Sequence, residues 1–169
     1  MESTSGLTVE FPAWQDGAEG ERRRRARTRL PALTILYHMD SHRVGERALL
    51  SGVPEGGSAR LSRLEPSFTL PHRNDPRPLE DRHISRSPIV LSGSGDGGIH
   101  VSLGESRTRL VADGAPVQGS WTFAPSEVER GIVLELGQSV VLLLHTLSST
   151  LPASSERFGL IGESEAILR

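Results

Sequence analysis

The sequence predicts an all-β fold, a sandwich or barrel of short antiparallel strands. Short runs rich in Val, Ile and Leu recur along the middle of the chain, and the apolar residues show almost no helical periodicity. The 169 residues include 18 Gly and 11 Pro, enough to divide the chain into short segments. Many short strands separated by Gly and Pro turns are typical of sandwiches and barrels.

Most of the predicted strands lie in the first two thirds of the chain. The run LTILY at residues 33–37 is β-branched and aromatic, which favours an extended backbone. Residues 58–64 alternate loosely between polar and apolar side chains, as expected of a half-buried strand. The segments predicted as strands are 33–37, 47–50, 58–64, 87–91, 98–103 and 108–112.

The clearest hairpin comes later in the chain. Residues 132–136 and 139–145 are rich in Val, Ile and Leu and flank the dipeptide Gly137-Gln138, which predicts two strands around a two-residue turn. A glycine in the middle of this apolar stretch argues against a helix. Residues 121–130 leave two alternatives, one helical turn over 125–130 or an irregular loop.

Composition predicts one domain with tails rather than two very small domains. Hydrophobic residues make up 36% of the chain and aromatic residues 4%, so part of its length is expected to stay unpacked. The formal net charge is −2, which predicts no bulk attraction to nucleic acid or to membranes. All 19 Lys and Arg positions are arginine, a bias that we attribute to a GC-rich genome.

The absence of cysteine excludes disulfides, thiolate metal ligands and a cysteine nucleophile. Residues 1–20 lack the order of a secretory signal, a basic segment followed by an apolar run. The sequence has no apolar window long enough to span a membrane as a helix. We therefore expect a soluble, cytoplasmic protein.

The first 30 residues are predicted to form a disordered arm with a basic run at residues 21–29. Such a run can contact nucleic acid, and a DNA-binding arm would show an affinity that falls steeply with salt. Aromatic residues do not interleave with the arginines, and a base-reading helix does not follow, so the sequence favours a solvated arm. Residues 148–157 are polar and are predicted to form a linker.

The sequence predicts neither catalytic nor metal-binding residues. His38 and His42 are four residues apart, but the segment between them has the composition of a loop and a third ligand is not evident. The glycine-rich segment 93–98 lies between predicted strands and lacks the Gly-Lys-Ser/Thr ending of a phosphate-binding loop, which indicates a hairpin turn. We expect no enzyme activity, no metal and no cofactor.

Polar residues at the ends of the apolar runs point to recognition of a phosphorylated side chain. Arg63 ends one predicted strand, and Ser85 and Arg86 precede another. An arginine presents a planar, permanently charged fork to phosphate oxygens, and a serine hydroxyl can donate to them. Arginine-bearing loops are a recurring way to bind phosphorylated motifs.

Three segments resemble a forkhead-associated (FHA) domain in order and spacing: LSR at 61–63, LEDRHISR at 79–86 and SRTRLVADG at 106–114. The resemblance covers residues 33–147 and implies a β-sandwich that binds phosphothreonine peptides through loops at one end. It implies that Arg63 and Ser85 hold the phosphate and that Arg86 assists. It places Thr108 where family members have the asparagine that clamps the peptide backbone.

The chain departs from the family pattern at several of these positions. Ser62 stands in the place of a glycine, Pro88 in the place of a histidine, and Thr108 in the place of the clamping asparagine. These departures favour an alternative, a degenerate FHA-like sandwich that serves as a phosphorylation-independent interaction or self-association module. Arg63 and Ser85 favour phosphopeptide binding.

A second resemblance covers residues 158–169, FGLIGESEAILR, which look like the opening of the ATPase domain of bacterial activators that depend on sigma factor fifty-four. The resemblance implies an N-terminal regulatory domain that binds a protein partner and gates the ATPase. The other interpretation is a short capped C-terminal helix. The predicted organisation is an arm at 1–30, a sandwich at 31–147, a linker at 148–157 and the start of an ATPase domain at 158–169, with neither ATPase activity nor specific DNA binding in this chain.

Overall fold

Two antiparallel sheets form a sandwich in residues 27–150, the part of the chain that the computed structural model describes. The strands are β1 (Arg27–Tyr37), β2 (Arg47–Leu49), β3 (Ser58–Leu61), β4 (Ile89–Gly93), β5 (Ile99–Ser102), β6 (Leu110–Ala112), β7 (Ala115–Pro116), β8 (Ser120–Phe123), β9 (Ile132–Leu136) and β10 (Val140–Thr150). A 3₁₀ turn covers Ser41–Arg43, and one short helix, α1, covers Pro125–Arg130.

The strand order brings distant parts of the sequence together. One sheet has six strands in the order β2-β1-β10-β9-β6-β7, and the other has four in the order β3-β4-β5-β8. The first and last strands, β1 and β10, are therefore hydrogen-bonded neighbours in the middle of the larger sheet. The predicted all-β sandwich is confirmed.

The core lies between the two sheets and is built by alternation along each strand. In β9, Ile132, Leu134 and Leu136 are buried, whereas Val133 is half-buried and Glu135 is exposed. The same period of two appears in β4 and β5, whose buried residues come from the opposite sheet. Burial of each large aliphatic side chain contributes roughly 1.5–3 kcal/mol, so this alternation is the main stabilising pattern of the fold.

The β9–β10 hairpin turns at the predicted Gly137-Gln138 dipeptide, but its connection is three residues long, because Leu136 pairs with Val140 and Ser139 lies outside the strand. Gly137 and Gln138 have φ of 57° and 63°, and the Ser139 N–H donates to the Leu136 carbonyl oxygen at 3.1 Å. Positive φ at both central residues is the geometry of a type I′ turn, which matches the twist of antiparallel strands. Regular pairing resumes at Val140, which lies opposite Leu136.

The boundaries of β1 and β10 differ from the sequence prediction. β1 begins at Arg27, inside the segment predicted as an arm, and β10 continues to Thr150, inside the predicted linker. Because the two strands are hydrogen-bonded neighbours, each supplies the backbone partners that the other needs, and composition alone does not reveal this. The basic residues 22–26, the linker beyond 150 and the ATPase-like segment 158–169 lie outside the described residues.

The structure contains two edge strands, β7 and β8, that the sequence did not predict, and it forms a helix where the sequence left two alternatives. β7 contains Pro116, which is tolerated at a sheet edge, and β8 buries only Phe123. Neither strand carries the apolar alternation that predicted the others. Residues 125–130 form the helical turn, α1, with Val128 buried. None of the helices within residues 27–150 is long and apolar enough to cross a membrane.

A buried ion pair anchors the long connection between β3 and β4. Arg43 is only 2% exposed, and its guanidinium donates twice to the Glu46 carboxylate, at 2.8 and 2.9 Å. It also donates to the carbonyl oxygens of Leu79 at 2.8 Å and Arg77 at 3.2 Å. All the polar atoms of this buried cation therefore face partners, two of which belong to the connection.

The side chain of Arg77 extends the same cluster to the surface. Its guanidinium donates to the second oxygen of Glu46 at 3.1 and 3.2 Å and lies 3.5 Å from Asp40. The hydrogen bond to Glu46 raises the pKa of Arg77, so the guanidinium stays charged. Phe68, which is fully buried, exchanges backbone hydrogen bonds with Arg77. The cluster thus holds a strand-free segment against the sandwich.

We expect Glu46→Gln to destabilise the protein by about 3–5 kcal/mol, because it leaves the buried charge of Arg43 uncompensated. Urea denaturation of both proteins measures this change in the free energy of unfolding. The matched control is Glu65→Gln, which removes an exposed ion pair with Arg60 and should cost at most about 1 kcal/mol. Equal, small effects of the two variants would show that the buried cluster is not an anchor.

Candidate functional site

The predicted site residues lie at one end of the sandwich. Arg63 follows the end of β3, Ser85 and Arg86 precede the start of β4, and Thr108 precedes β6. Because these strand ends lie on the same side of the two sheets, the loops that carry the residues meet there. The β9–β10 turn packs against the same loops: a Cβ on Gly137 would lie 2.7 Å from the His83 carbonyl oxygen, so this approach requires glycine.

Ser85 is the meeting point of these loops. Its N–H donates to the Thr108 hydroxyl at 2.8 Å, and its carbonyl oxygen accepts from the Arg63 N–H at 3.2 Å. The Ser85 hydroxyl accepts from the Ser87 N–H at 3.0 Å, which closes a tight local turn. The structure therefore joins three of the four predicted residues through direct hydrogen bonds.

The side chain of Thr108 is buried beneath the Ser85 loop. It is only 3% exposed, and its hydroxyl oxygen accepts the Ser85 N–H. The next residue, Arg109, accepts the Gly137 N–H on its carbonyl oxygen at 2.9 Å, so both sides of this loop are tied to neighbours. In this arrangement Thr108 positions Ser85, and its contact with a ligand remains a prediction.

The backbone around Arg63 is equally well fixed. The Arg63 carbonyl oxygen accepts from the Glu80 N–H at 2.8 Å, and Ser62, only 1% exposed, accepts the Leu64 N–H on its hydroxyl. The hydroxyl of Ser62 therefore stabilises the turn. The half-buried side chain of Arg63 has no hydrogen bond or ion pair to any other residue in 29–148, and its guanidinium is available to a ligand.

An open cleft next to Ser85 carries further charge. Ser85, Arg86, Ser87, Glu105 and Arg107 line it. Both Arg86 and Arg107 are exposed, and neither forms an ion pair within the described part of the chain. Arg63 is not among the lining residues; its link to the cleft is the backbone hydrogen bond from its N–H to the Ser85 carbonyl oxygen.

Sequence reasoning missed Ser87, Glu105 and Arg107 as members of the cleft. Arg107 belongs to the segment 106–114, in which the resemblance indicates its neighbour Thr108 as the site residue. The structure shows that Thr108 points inward while Arg107 is exposed. Adjacent residues of an extended segment point to opposite sides, and this alternation was the signal that could have identified Arg107.

The glycine-rich turn at 93–98 lies at the opposite end of the sandwich, where β4 ends and β5 begins. Asp96 accepts from the Ser94 hydroxyl at 2.5 Å and from the Gly98 N–H at 3.0 Å, and these bonds lower the pKa of its carboxyl group. The turn is thus closed by its own side chains around a carboxylate. The turn joins the antiparallel strands β4 and β5 and is therefore a hairpin connection.

Of the two histidines at four-residue spacing, His38 has hydrogen-bond partners for its ring and His42 lies at the surface. The His38 Nδ1 accepts from the Asp40 N–H at 3.0 Å, and its Nε2 lies 3.2 Å from the Leu79 carbonyl oxygen. His42 is exposed at the 3₁₀ turn. Among the residues that the structure describes, three or more His, Asp or Glu side chains do not come together in an arrangement that could hold a metal ion.

Comparisons with known proteins concern the fold. No protein-family model and no curated protein matches this chain. The FHA domain of the CT664 protein from Chlamydia trachomatis is similar, with a TM-score of 0.47 and 19% identity over 69% of this chain and 96% of that one. The FhaA FHA domain complexed with the intracellular domain of Rv3910 is similar with a TM-score of 0.44 and 20% identity, over 67% of this chain and 98% of that one.

We expect Thr108→Val to destabilise the protein by about 1–3 kcal/mol, because valine cannot accept the Ser85 N–H. The amide of Ser85 should also exchange its hydrogen at least about ten-fold faster, since its local opening becomes easier. Unfolding in urea and amide exchange followed by NMR measure the two effects. Thr108→Ser keeps the hydroxyl and should preserve slow exchange at Ser85; loss of protection in both variants would contradict the assigned hydrogen bond.

Proposed function

We propose that this chain is a phosphothreonine-recognition domain that binds a phosphorylated protein partner. The observation that carries the proposal is the position of Ser85, which is hydrogen-bonded to the backbone of Arg63 and to Thr108 at the edge of a cleft that holds two unpaired arginines. A phosphate at pH 7 carries a charge of about −1.5 to −2, which two or three guanidinium groups can neutralise.

The hydroxyl of Ser85 is oriented to donate. Its oxygen already accepts the Ser87 N–H, so one of its lone pairs is occupied and its own proton remains for an acceptor. A phosphate oxygen is such an acceptor, and hydrogen bonds to a charged oxygen are roughly twice as strong as those between neutral groups. The proposal assigns Ser85 a direct contact with the phosphate.

Arginines supply the charge in this proposal. Arg63 approaches from the end of β3 and Arg86 from the residue after Ser85, and each can offer two parallel N–H groups to a pair of phosphate oxygens. Arg107, which also lines the cleft, adds a third cation. Glu105, which also lines the cleft, would disfavour further negative charge close to the phosphorylated residue and would favour a basic neighbour.

The buried Thr108 has an indirect part in the proposal. Because its hydroxyl holds the Ser85 N–H, it keeps the Ser85 loop in place before a ligand arrives. Preorganisation of this kind lowers the entropic cost of binding. The preference for phosphothreonine over phosphoserine rests on the resemblance of 61–63, 79–86 and 106–114 to FHA domains.

We also propose that the domain regulates a sigma-fifty-four-dependent transcriptional activator in the cytoplasm. Support comes from residues 158–169, whose sequence resembles the opening of the activator ATPase domain. Determination of the coding sequence that follows residue 169 tests this context. An in-frame G-x-x-x-x-G-K-[ST] phosphate-binding loop is expected, and an open reading frame that lacks one contradicts the proposal.

The principal test is a titration of phosphothreonine peptides. We expect the wild-type chain to bind members of a phosphothreonine peptide library and to ignore their unphosphorylated counterparts. Arg63→Ala and Ser85→Ala should each weaken binding by about ten-fold or more, because a charge-assisted hydrogen bond contributes roughly 1.5–3 kcal/mol. Isothermal titration calorimetry or fluorescence anisotropy gives the dissociation constants.

A matched control distinguishes the cleft from general attraction between charges. Arg130→Ala removes an exposed arginine from α1, at the other end of the sandwich, and should leave peptide affinity unchanged. Equal binding of phosphorylated and unphosphorylated peptides would overturn phosphate recognition. That result would favour the alternative, a phosphorylation-independent interaction module.

A further inference from the structure

The outer faces of the two sheets differ in polarity. On the four-stranded sheet, the outward residues of neighbouring strands form polar rows, such as Ser92, His100 and Thr122 across β4, β5 and β8. An antiparallel sheet with one face on the core and one in water is expected to be polar outside. The four-stranded sheet meets that expectation, and the outer face of the six-stranded sheet can be compared with it.

The outer face of the six-stranded sheet carries an apolar strip among its polar side chains. Its outward residues alternate with the buried core residues of the same strands and pair with one another, as Leu143 does with Val133. Leu36 on β1 is 42% exposed and Leu49 on β2 is 58% exposed. The apolar residues of this face are Leu36, Leu49, Val111, Val133, Val141 and Leu143. Contiguous apolar surface of this kind marks interaction sites.

Two opposite charges lie on this face, Arg47 opposite Thr34, and Glu135 between the outward Val141 and Val111 of the neighbouring strands. Arg47 projects from β2, and Glu135 projects from β9; both side chains are exposed. The sheet order places β2 and β9 on either side of the central pair, β1 and β10. Neither charge forms an ion pair with another residue in the range 29–148, so each is free to meet a partner.

His145, which lies on the same face, adds no charge at neutral pH. It is hydrogen-bonded to Thr34 on the neighbouring strand, with 2.8 Å between the His145 Nε2 and the Thr34 hydroxyl. Partial burial, together with the positive charge of Arg47, lowers the pKa of His145 below its usual value. The centre of the face is therefore uncharged at neutral pH, with Arg47 on the β2 side and two anions on the β9 and β6 side, Glu135 and Asp113, whose carboxylate accepts the Val133 N–H.

We propose that this outer face is the interface of a symmetric homodimer. A two-fold axis in the plane of the interface, midway between Arg47 and Glu135, lays each Arg47 over the partner subunit's Glu135. The axis then passes between β1 and β10, so Leu36 and Leu143 lie near the centre of the contact. A second copy of the chain satisfies the pattern of apolar core and complementary charges, because a two-fold interface must be complementary to itself.

The dimer leaves the phosphate cleft accessible. The cleft is formed by loops at the strand ends, whereas the interface is the flat face of the six-stranded sheet. Two clefts on one dimer would bind a partner that carries two phosphorylated residues more tightly than either cleft alone. Dimerisation itself does not require phosphate and can be tested separately from peptide binding.

The test measures the mass of the full 169-residue chain by sedimentation equilibrium between about 1 and about 300 μM, where a modest interface dissociates. The wild type is expected to form a dimer. Arg47→Glu and Glu135→Arg should each weaken the dimer by at least about ten-fold, because each places like charges opposite one another. The double variant Arg47→Glu/Glu135→Arg exchanges the charges and should restore the wild-type dissociation constant within about three-fold.

Two controls make each outcome decisive. Val90→Arg introduces a charge on the outer face of the four-stranded sheet and should leave the mass unchanged. Every substituted side chain lies on the outside of a sheet, so we expect all the variants to fold. Circular dichroism checks that they do. A monomeric wild type over the whole range would overturn the proposal, and so would a dimer that resists both single charge reversals. Capture of a different protein by a monomeric chain would count as the same refutation.

Discussion

The buried Arg43–Glu46 pair is the constraint on which the candidate site depends. A buried guanidinium requires a counter-charge and several acceptors, and here the acceptors include the carbonyl oxygens of Leu79 and Arg77. The pair therefore fixes the connection between β3 and β4, which has no strand of its own. Because Ser85 lies at the end of that connection, the buried pair helps to hold the Ser85 loop in place, together with the hydrogen bonds that Ser85 makes to Arg63 and Thr108.

The Ser85–Thr108 hydrogen bond joins the loop of Ser85 to the rest of the candidate site. Ser85 lies in the segment that leads into β4 of the four-stranded sheet, and Thr108 lies in the segment that leads into β6 of the six-stranded sheet. One short bond thus joins the two layers at the end where the charged side chains collect. The side chain of Thr108 has the length to hold a neighbouring loop, and the exposed Arg107 beside it lines the cleft.

The two faces of the molecule are suited to different tasks. The loop end presents unpaired arginines around a serine hydroxyl, which suits a small, multiply charged group. The outer face of the six-stranded sheet presents aliphatic residues between Arg47 and Glu135, which suits a large, nearly neutral surface. Recognition of a partner and self-association can therefore occur on separate surfaces of one small sandwich.

Local pattern by itself determined the all-β class, most of the strands and the β9–β10 turn, because alternation and positive-φ turn residues act over short stretches of chain. It also indicated Arg63, Ser85 and Arg86, whose chemistry is visible in their residue types. Only the tertiary structure decided that Thr108 is buried and that Arg107 and Glu105 line the cleft. It also decided that β1 and β10 pair with each other and are longer than the sequence predicts. These features depend on contacts between residues far apart in the chain, and the pairing energy that selects them is absent from any local window of sequence.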